Sequence, residues 1–241
     1  MSEIDLSVII PAYLEDENLR ILLPRLKKVL GQLGVVSEVL VVDTNPPKDK
    51  TPDVCLENGV LHLPREGGQA YGDAVRTGIR RSQGARVLFM DADGSHTPEF
   101  IPNLWSQVAD SDVVVASRYV EGGETENPRH LIWMSLVLNL SYSLLLGLKC
   151  KDISNSFKIY PGEPLRSLLL ECKNFDIIEE ILVKISRTKR DLRIREVPFV
   201  FKKRMFGNTK RNLIAFVLTF YITFARLFWS RFKKSLISQK S

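Results

Sequence analysis

Short apolar runs that alternate with helix-forming segments are the feature that most constrains the fold of this chain of 241 residues. The runs lack the apolar–polar alternation of strands with one solvated face, so they are typical of parallel strands covered on both faces. The pattern predicts an α/β fold, with a mostly parallel sheet between two layers of helices. The predicted strands are LSVII, which Pro11 stops, EVLVVD, GVLHLP, ARVLFMDAD and DVVVASRY.

Polar residues follow three of these strands at the point where each strand ends. The first strand leads into Pro11–Glu15, the second ends at Asp43, and the fourth ends at Asp91–Asp93. The carboxyl ends of parallel strands meet at one edge of a sheet, and ligands of open α/β sheets bind there. We therefore expect these residues to share one rim.

The pair Asp91 and Asp93 makes this rim chemically specific. Two ionised carboxylates one residue apart are costly unless a cation or hydrogen-bond donors neutralise them. A hard divalent cation fits, and it would also hold a diphosphate. The alternative is that the pair caps the next helix, but Thr97 and Pro98 already have the residue types of an N-cap and a first helical position.

The charge of the chain is concentrated at its carboxyl end. The net charge is +6, yet residues 201–241 hold ten Lys and Arg and no Asp or Glu. Such a segment is attracted to phosphates of nucleic acid or of an anionic membrane surface. Phe, Leu and Ile are interleaved with the cations and no nucleic-acid recognition module is evident, so we predict a membrane surface and no nucleic acid.

Two apolar segments bear on this prediction. Residues 131–148 carry no charge and are nearly long enough to span a bilayer, but a buried core helix and a lipid-facing helix remain equally open. Residues 212–234 place their polar members on one helical stripe between basic flanks. We predict that this helix lies in the membrane interface with its cations on headgroups. A helix packed against the domain or against a second copy is the alternative.

Cellular location follows from smaller signals. The three cysteines are far apart and show neither disulfide nor metal-site spacing, which favours a reducing compartment. The opening MSEID is acidic and unlike a signal peptide. We expect a peripheral or monotopic protein on the cytoplasmic face of a membrane, with a catalytic domain over residues 1–211 and an interfacial helix and tail over 212–241.

Two further features are assigned to packing. The stretch GDAVRTG resembles a phosphate-binding turn, but it lacks a full fingerprint, so Gly72 and Gly78 are predicted to permit close helix–sheet contact. His96 lies beside the acidic turn, and we expect it to have a structural role.

Several motifs, in this order and spacing, carry a resemblance to a known family. They are VIIPAYLEDENL, VVDTNPPKDKTPD, GDAVRTG, FMDADGSHTPEFIP, VVVASRYVEGG, DISNSFKIY, FDIIEEILVKI and IREVPFVFKKRMFGNTK. The chain resembles family-2-type inverting glycosyltransferases with the GT-A fold, and among them the dolichyl-phosphate mannose and glucose synthases. The resemblance implies Mg²⁺- or Mn²⁺-dependent transfer of a hexose from a nucleotide sugar to dolichyl or another polyprenyl phosphate. GDP-mannose is the favoured donor, and UDP-glucose or a non-lipid glycan acceptor is the alternative.

The resemblance also implies roles for single residues. Pro11, Tyr13 and Glu15 would line the nucleotide-sugar pocket together with Ala92. Asp43 would hydrogen-bond the base.

The remaining implied roles concern the reacting groups. Asp93 would be the principal metal ligand, and Asp91 would contact the ribose or support the metal. Arg118 and Arg129 would face phosphates of the donor or acceptor. Glu180 matches a helix carboxylate near the reaction centre.

The resemblance finally places a basic pair over the diphosphate, formed by Arg204 and Lys210. These assignments apply to the reaction type more firmly than to the choice of nucleotide and sugar. The reason is that the chain departs from the usual family pattern at Leu14, Thr44, Ser95 and Asn155–Phe157.

Overall fold

A computed structural model of the chain describes residues 3–206 and 219–229. The strands are β1 (Leu6–Pro11), β2 (Ser37–Asp43), β3 (Leu61–Pro64), β4 (Arg86–Phe89), β5 (Val113–Ser117), β6 (Glu124–Thr125), β7 (Lys158–Pro161), β8 (Ile194–Pro198) and β9 (Val200–Phe201). The helices are α1 (Asp16–Leu33), α2 (Thr51–Asn58), α3 (Tyr71–Arg81), α4 (Ile101–Trp105), α5 (Arg129–Leu146), α6 (Gly162–Arg166) and α7 (Ile177–Ser186), with residues 219–229 as α8.

Seven strands form one sheet in the order β3-β2-β1-β4-β7-β5-β8. The neighbouring pairs run parallel except those of β7, which pairs antiparallel with both β4 and β5. The mostly parallel α/β architecture of the GT-A type is therefore confirmed. The antiparallel strand was not predicted. A second, two-stranded sheet joins β6 to β9.

Helices cover both faces of the sheet, as predicted. Side chains of β1 alternate between two apolar clusters, with Ile10 on the α1 and α4 side and Ile9 on the α3 and α7 side. Helix α3 lies close to β1 because Gly78 has no side chain. A Cβ atom there would lie 2.4 Å from the Cγ2 atom of Ile9. The packing role predicted for this glycine is confirmed. Gly72 also allows a close approach, but to the backbone of Cys172, which is not part of the sheet.

The predicted fourth strand is shorter than the apolar run indicates. β4 ends at Phe89, so Asp91 and Asp93 belong to the turn beyond it. Thr97 precedes a short 3-10 helix that starts at Pro98, but its side chain makes no capping hydrogen bond. Thr97 and Pro98 thus occupy the predicted N-cap and first helical positions, without the side-chain hydrogen bond of a cap. The turn is stabilised instead by Asp93, whose Oδ1 atom accepts the Ser95 N–H at 3.0 Å.

Candidate active site

The carboxyl ends of β2, β1 and β4 are adjacent, as the parallel-strand argument requires. The Ala12 N–H donates to the carbonyl of Val42 at 2.9 Å, and the Met90 N–H donates to the carbonyl of Ile9 at 3.0 Å. These bonds align the turns after the three strands along one edge. Pro11, the last residue of β1, is buried there, and Ala92 packs in the same apolar cluster.

Three carboxylates and one arginine, which we call the acidic rim, occupy this edge: Glu15, Asp91, Asp93 and Arg204. The Oδ1 atom of Asp93 accepts both the Ser95 N–H and the Ser95 hydroxyl, the latter at 2.6 Å. Its Oδ2 atom lies 3.3 Å from Arg204 Nη2. The structure therefore confirms that Asp93 reaches the rim, and it shows a cationic side chain against it.

Arg204 is anchored mainly by Glu15. Its Nη2 and Nη1 atoms donate to the two carboxylate oxygens of Glu15 at 2.9 and 3.2 Å. Glu15 is buried, and it also accepts the Asn18 side-chain N–H at 2.6 Å. A buried carboxylate with two donors is well compensated, so this pair fixes the arginine at the rim.

The segment 202–206 lies directly over the acidic turn. The Met205 N–H donates to the carbonyl of Asp93 at 2.9 Å, and the Phe206 N–H donates to the side-chain oxygen of Asn18 at 3.2 Å. Gly94 makes this approach possible, because it has φ +80 and a Cβ atom there would meet the Met205 side chain at 2.5 Å. The rim is thus closed by a segment far away in the sequence.

Asp91 is oriented by groups from two other segments. The Ser156 hydroxyl donates to its Oδ1 atom at 3.0 Å, and its own N–H donates to His96 Nδ1 at 3.0 Å. Since His96 Nδ1 is an acceptor, its Nε2 carries the proton and donates to Asn155 at 3.0 Å. Burial lowers the pKa of His96, so the ring is neutral and its proximity to Asp91 is not an ion pair.

The structural role predicted for His96 is therefore confirmed. The ring is fully buried and stacks on Phe157 with 4.7 Å between centroids. Ser156 was not predicted as a site residue. The available signal was its position within DISNSFKIY, one of the motifs that carry the resemblance.

Asp43 presents one carboxylate oxygen that has no hydrogen bond within residues 3–206 and 219–229. Its Oδ1 atom accepts the Thr44 N–H at 2.6 Å, whereas its Oδ2 atom is buried without a hydrogen-bond partner and lies 3.5 Å from His62 Nε2. Buried polar atoms are normally satisfied, so an orphaned acceptor of this kind points to a ligand that donates to it.

Arg65 is a site residue that the sequence reasoning missed. It follows β3, and its Nη2 atom donates to the carbonyl of Ala12 at 2.5 Å, across the end of β1. The side chain is buried, which lowers the pKa of its guanidinium, while Asp43 and Asp73 act in the opposite direction. The rule applied to the other strand ends would have found it at the end of the third strand.

The turn after β1 contains a strained residue. Leu14 has φ +55, in the left-handed region that favours glycine and asparagine. It is also one of the departures from the family pattern, which usually has asparagine there. Tyr13 next to it is partly buried, with Lys48 Nζ 5.2 Å from its ring centroid.

Arg118 forms a buried ion pair at the end of β5. Its Nε and Nη2 atoms donate to the two oxygens of Asp152 at 2.8 and 2.7 Å, and Nη2 also donates to Ser154. Burial alone would lower the pKa of this arginine, but the charge of Asp152 outweighs it and raises the pKa. Arg118 therefore holds the 152–156 loop, whose Ser156 contacts Asp91.

Glu180 is on α7, fully buried, and is engaged by the protein itself. It accepts N–H groups of Glu171 and Cys172 and pairs with Lys184 at 2.8 Å and Arg226 at 3.3 Å. Burial would raise its pKa, but Lys184 and the Cys172 N–H outweigh burial and lower it. Its described contacts join α7 to α8, and none reaches the acidic rim.

Two predicted cations remain, Arg129 and Lys210. Arg129 begins α5 and is exposed, with no hydrogen bond or ion pair to the described part of the chain. Lys210 lies outside the described residues, so its role remains a prediction.

Helices α5 and α8 form what we call the helix pair. Tyr142 of α5 lies 5.2 Å from the ring of Phe220 and 5.3 Å from that of Phe224. The opposite face of α5 is exposed and apolar, with Trp133 at 70% and Leu140 at 58% exposure. Helix α5 therefore packs with one face and exposes apolar side chains on the other, so it is not a fully buried core helix, and a lipid-facing position stays a prediction.

The described part of α8 also directs a polar side chain toward the protein and exposes apolar ones. Thr223 points inward, donating to Asp176 at 2.6 Å, while Tyr221, Ile222 and Trp229 are exposed. Arg226 was expected to face lipid headgroups, but it pairs with Glu180, because that buried carboxylate needs a cation. Among the described residues, no helix combines the length and hydropathy that crossing a bilayer requires.

Residues at the rim fit a divalent cation held jointly with a ligand. No group of three or more His, Cys, Asp or Glu among residues 3–206 and 219–229 could hold a metal. Mg²⁺, however, commonly takes one or two carboxylates together with substrate phosphates and water. Asp93 presents one carboxylate oxygen to a cationic group already, so its position suits such a site.

Comparison with known proteins decides the family. A family model described as "Glycosyl transferase family 2" matches residues 7–169. The chain belongs to this family. The matched stretch of this glycosyltransferase includes the rim from Pro11 to Asp93 as well as Arg118 and Arg129, whereas Glu180 and Arg204 follow it.

Curated relatives of this glycosyltransferase cover most of its length. It is 34% identical over 217 residues to an undecaprenyl-phosphate mannosyltransferase of Micrococcus luteus, covering 85% of this chain and 86% of the relative. It is 33% identical to a dolichol-phosphate mannosyltransferase of Pyrococcus furiosus, over 85% of this chain and 58% of that protein. It is 32% identical to a polyprenol monophosphomannose synthase of Mycolicibacterium smegmatis, with coverages of 85% and 80%.

Solved structures confirm the fold of this glycosyltransferase. Glucosyl-3-phosphoglycerate synthase of Mycobacterium tuberculosis superposes with a TM-score of 0.70 at 17% identity, covering 93% of this chain and 79% of that one. The same enzyme solved with Mn²⁺, UDP and phosphoglyceric acid gives 0.69 at 18% identity, with coverages of 93% and 77%.

Proposed function

We propose that this glycosyltransferase moves a hexose, mannose in the first instance, from a nucleoside-diphosphate sugar to a polyprenyl phosphate at a membrane surface, with inversion at the sugar. The observation that carries the proposal is the helix pair, which exposes apolar side chains and turns its polar ones inward beside a family-2 catalytic domain. The names of three relatives at 32–34% identity, each a polyprenyl-phosphate mannose transferase or synthase, support the same acceptor and sugar.

The donor base would bind at the end of β2. The orphaned Oδ2 atom of Asp43 can accept an N–H of guanine or uracil, so this contact fits GDP-mannose, the favoured donor, and UDP-glucose alike. Tyr13 and Arg65 border the same edge and supply a ring and a cation. The choice of nucleotide therefore rests on experiment.

Asp93, with Asp91 beside it, would hold Mg²⁺ or Mn²⁺ at the donor diphosphate. When bound, the cation stabilises the negative charge that develops on the leaving nucleoside diphosphate. The residues contribute a positioned carboxylate, because Ser95 and Ser156 fix the two side chains through hydrogen bonds.

The acceptor explains why this site would need little base catalysis. A polyprenyl phosphate is already an anion at neutral pH, so its attacking oxygen needs no proton removed. What the site must do is bring two phosphate-bearing substrates together against their mutual repulsion. Arginine suits that task because its fork binds phosphate oxygens bidentately, and Arg204 and the exposed Arg129 are the candidates.

The membrane would receive the outward face of the helix pair. Exposed aromatic and aliphatic side chains of a helix lie at the boundary of headgroups and acyl chains. The exposed Lys149 and Lys151 follow α5 and would favour anionic headgroups. We place the enzyme on the cytoplasmic face because its three cysteines are free thiols.

Donor and acceptor can be tested in two steps. Thermal stability is first measured with Mn²⁺ and GDP, GDP-mannose, UDP or UDP-glucose, with Asp93→Asn as the matched control. We expect one nucleotide family to stabilise the wild-type protein only when the metal is present. Transfer of labelled hexose is then followed to an undecaprenyl phosphate in detergent or to 3-phosphoglycerate.

The outcomes separate the alternatives. Mannosyl transfer to the lipid phosphate supports the proposal, and glucosyl transfer from UDP-glucose would replace the sugar while keeping the acceptor. Transfer to the soluble phosphate alone would overturn the lipid acceptor, which the phosphoglyceric acid bound by a structural neighbour makes a real alternative. Absence of any nucleotide binding would overturn the enzymatic proposal itself.

A further inference from the structure

Arg204 makes two kinds of contact at the acidic rim. Both of its terminal nitrogens bind Glu15, at 2.9 and 3.2 Å, whereas a single nitrogen approaches Asp93, at 3.3 Å. Glu15 is the more buried of the two carboxylates, with 7% of its side chain exposed against 20% for Asp93. The contact with Glu15 is therefore the anchor, and the contact with Asp93 is the looser one.

The looser contact lies where a metal would bind. The Oδ1 atom of Asp93 is already committed to Ser95 through two hydrogen bonds, which leaves Oδ2 as the oxygen that faces an exchangeable partner. A guanidinium at 3.3 Å from that oxygen neutralises it and repels a second cation. Metal and arginine thus compete for the same carboxylate.

The arginine also belongs to a segment that contacts the acidic turn. This segment, 202–206, makes the contact through backbone hydrogen bonds from Lys202 and Met205. A shift of Arg204 away from Asp93 about its Glu15 anchor would bring its guanidinium toward whatever anion accompanies the metal. A diphosphate presents such oxygens, and arginine binds them in pairs.

Resting on the proposed function, we propose that Arg204 is the resident counter-ion of Asp93: it holds the site charge-balanced before the donor arrives, yields Asp93 to the metal, and then binds the donor diphosphate. The arginine opposes binding of the metal alone and favours binding of the metal together with the nucleotide. The site would therefore select the metal–nucleotide complex over free metal.

We predict that loss of Arg204 changes the affinity for Mn²⁺ alone and the affinity for nucleotide with Mn²⁺ in opposite directions. Replacing Arg204 by glutamine should strengthen binding of Mn²⁺ alone by roughly fivefold, because the competing charge is lost. The same change should weaken binding of GDP with Mn²⁺ by about tenfold, because the diphosphate loses a charged partner. UDP replaces GDP if the donor screen selects it. A residue that only stabilised the fold would shift both affinities in one direction.

The test measures free Mn²⁺ by electron paramagnetic resonance and nucleotide binding by calorimetry. Arg204→Gln is compared with Arg204→Lys, which keeps the charge and should stay close to the wild-type protein for Mn²⁺ alone. Lys203→Gln is the matched control, since it removes one exposed positive charge from the neighbouring position and should change neither affinity by more than about twofold. Circular dichroism verifies that each variant is folded.

Each result has one meaning. Opposite changes for Arg204→Gln, absent from Lys203→Gln, support the counter-ion role. Unchanged or weaker Mn²⁺ binding in Arg204→Gln would overturn it while leaving the metal site intact, provided that Asp93→Asn abolishes binding in the same assay. If Asp93→Asn binds Mn²⁺ as the wild-type protein does, with and without nucleotide, the metal assignment fails and the counter-ion role falls with it.

Discussion

The acidic rim and the helix pair differ in how they place polar and apolar side chains. The rim brings buried and partly buried charged groups together and satisfies them with one another, as Glu15 and Asp93 share Arg204. The helix pair buries polar groups such as Thr223 and exposes apolar ones such as Trp133. The rim therefore contains a counter-charge in Arg204, whereas the helix pair leaves apolar side chains exposed among the described residues. The difference supports the proposals of a polar substrate at the first region and a membrane surface at the second.

A short loop physically joins the two regions. Asn139 of α5 accepts the N–H groups of Ile153 and Ser154 at 3.0 and 3.1 Å. Two residues further on, Ser156 donates to Asp91. One helix thus has an exposed apolar face and an inner face that positions a loop of the catalytic rim.

The sharpest way to isolate the rim is Asp93→Asn. We expect turnover to fall by about a thousandfold or more, because the proposed principal metal ligand would be lost. The melting temperature should stay within about 2 °C, since asparagine can still accept the Ser95 N–H. Product formation and thermal denaturation are measured side by side. Turnover near the wild-type level would remove Asp93 from the metal site.

The loop between the regions is tested by Asp152→Asn. The change leaves Arg118 buried without its counter-charge, so we expect the free energy of unfolding to fall by about 3 kcal/mol. Urea denaturation gives the value. The double variant Arg118→Leu/Asp152→Leu is the matched comparison and should be more stable than the single variant, because no lone charge stays buried. Equal loss in both would show that packing, not charge, dominates.

The helix pair is tested by Leu140→Asp. An added charge and a lost apolar contact should reduce binding to vesicles that contain phosphatidylglycerol by about tenfold, with nucleotide binding unchanged. Sedimentation with vesicles measures the partition. Leu56→Asp on α2 is the control, since Leu56 is also exposed, at 82%, but lies on a different helix. Equal loss in the two variants would contradict a specific membrane face.

The pH dependence of stability reports on the acidic turn. Burial lowers the pKa of His96 below its usual 6.5. Just below pH 6.5 this imidazole therefore binds a proton in the unfolded chain but stays neutral in the folded one. Stability should therefore fall as pH drops below about 6.5, with a slope of up to about 1.4 kcal/mol per pH unit from this group. His96→Phe should be less stable overall but flatter between pH 6.5 and 5. An unchanged slope would assign the effect to other groups.

The smallest expected effect concerns the turn after β1. Leu14→Asn should stabilise the fold by roughly 0.5–1 kcal/mol, because asparagine tolerates the left-handed backbone better than leucine. Thermal or urea denaturation detects the change. Leu14→Val is the contrasting variant and should destabilise, since a β-branched residue fits a positive φ less well. Gain in both would show that the side chain, not the backbone, is strained.

Much of the rim could be predicted from the sequence because one geometric rule places it. Parallel strands end at the same edge, and the polar residues after three of them met there. The same rule also predicts a place at this edge for Arg65, which follows the third strand. Arg204 could be assigned only through the family resemblance, since its contact with Glu15 spans 189 positions of sequence.

The helix pair could not be predicted to the same depth. Amphipathicity gives two faces and does not say which of them meets the protein. Arg226 faces inward because Glu180 lies buried opposite it, a fact that depends on tertiary packing. The antiparallel strand β7 was not predicted for a similar reason. Its apolar stretch is short and begins with Lys158, which is buried and donates to backbone carbonyls.

The membrane contact proposed for the outward apolar face of α5 would have a kinetic consequence. An enzyme seated on a bilayer meets its lipid substrate by lateral diffusion in two dimensions. Its rate then follows the mole fraction of polyprenyl phosphate within the bilayer, and adding inert phospholipid would slow it at constant bulk concentration. The soluble donor, in contrast, would be sampled in three dimensions and obey ordinary saturation. One active site would thus obey two concentration scales.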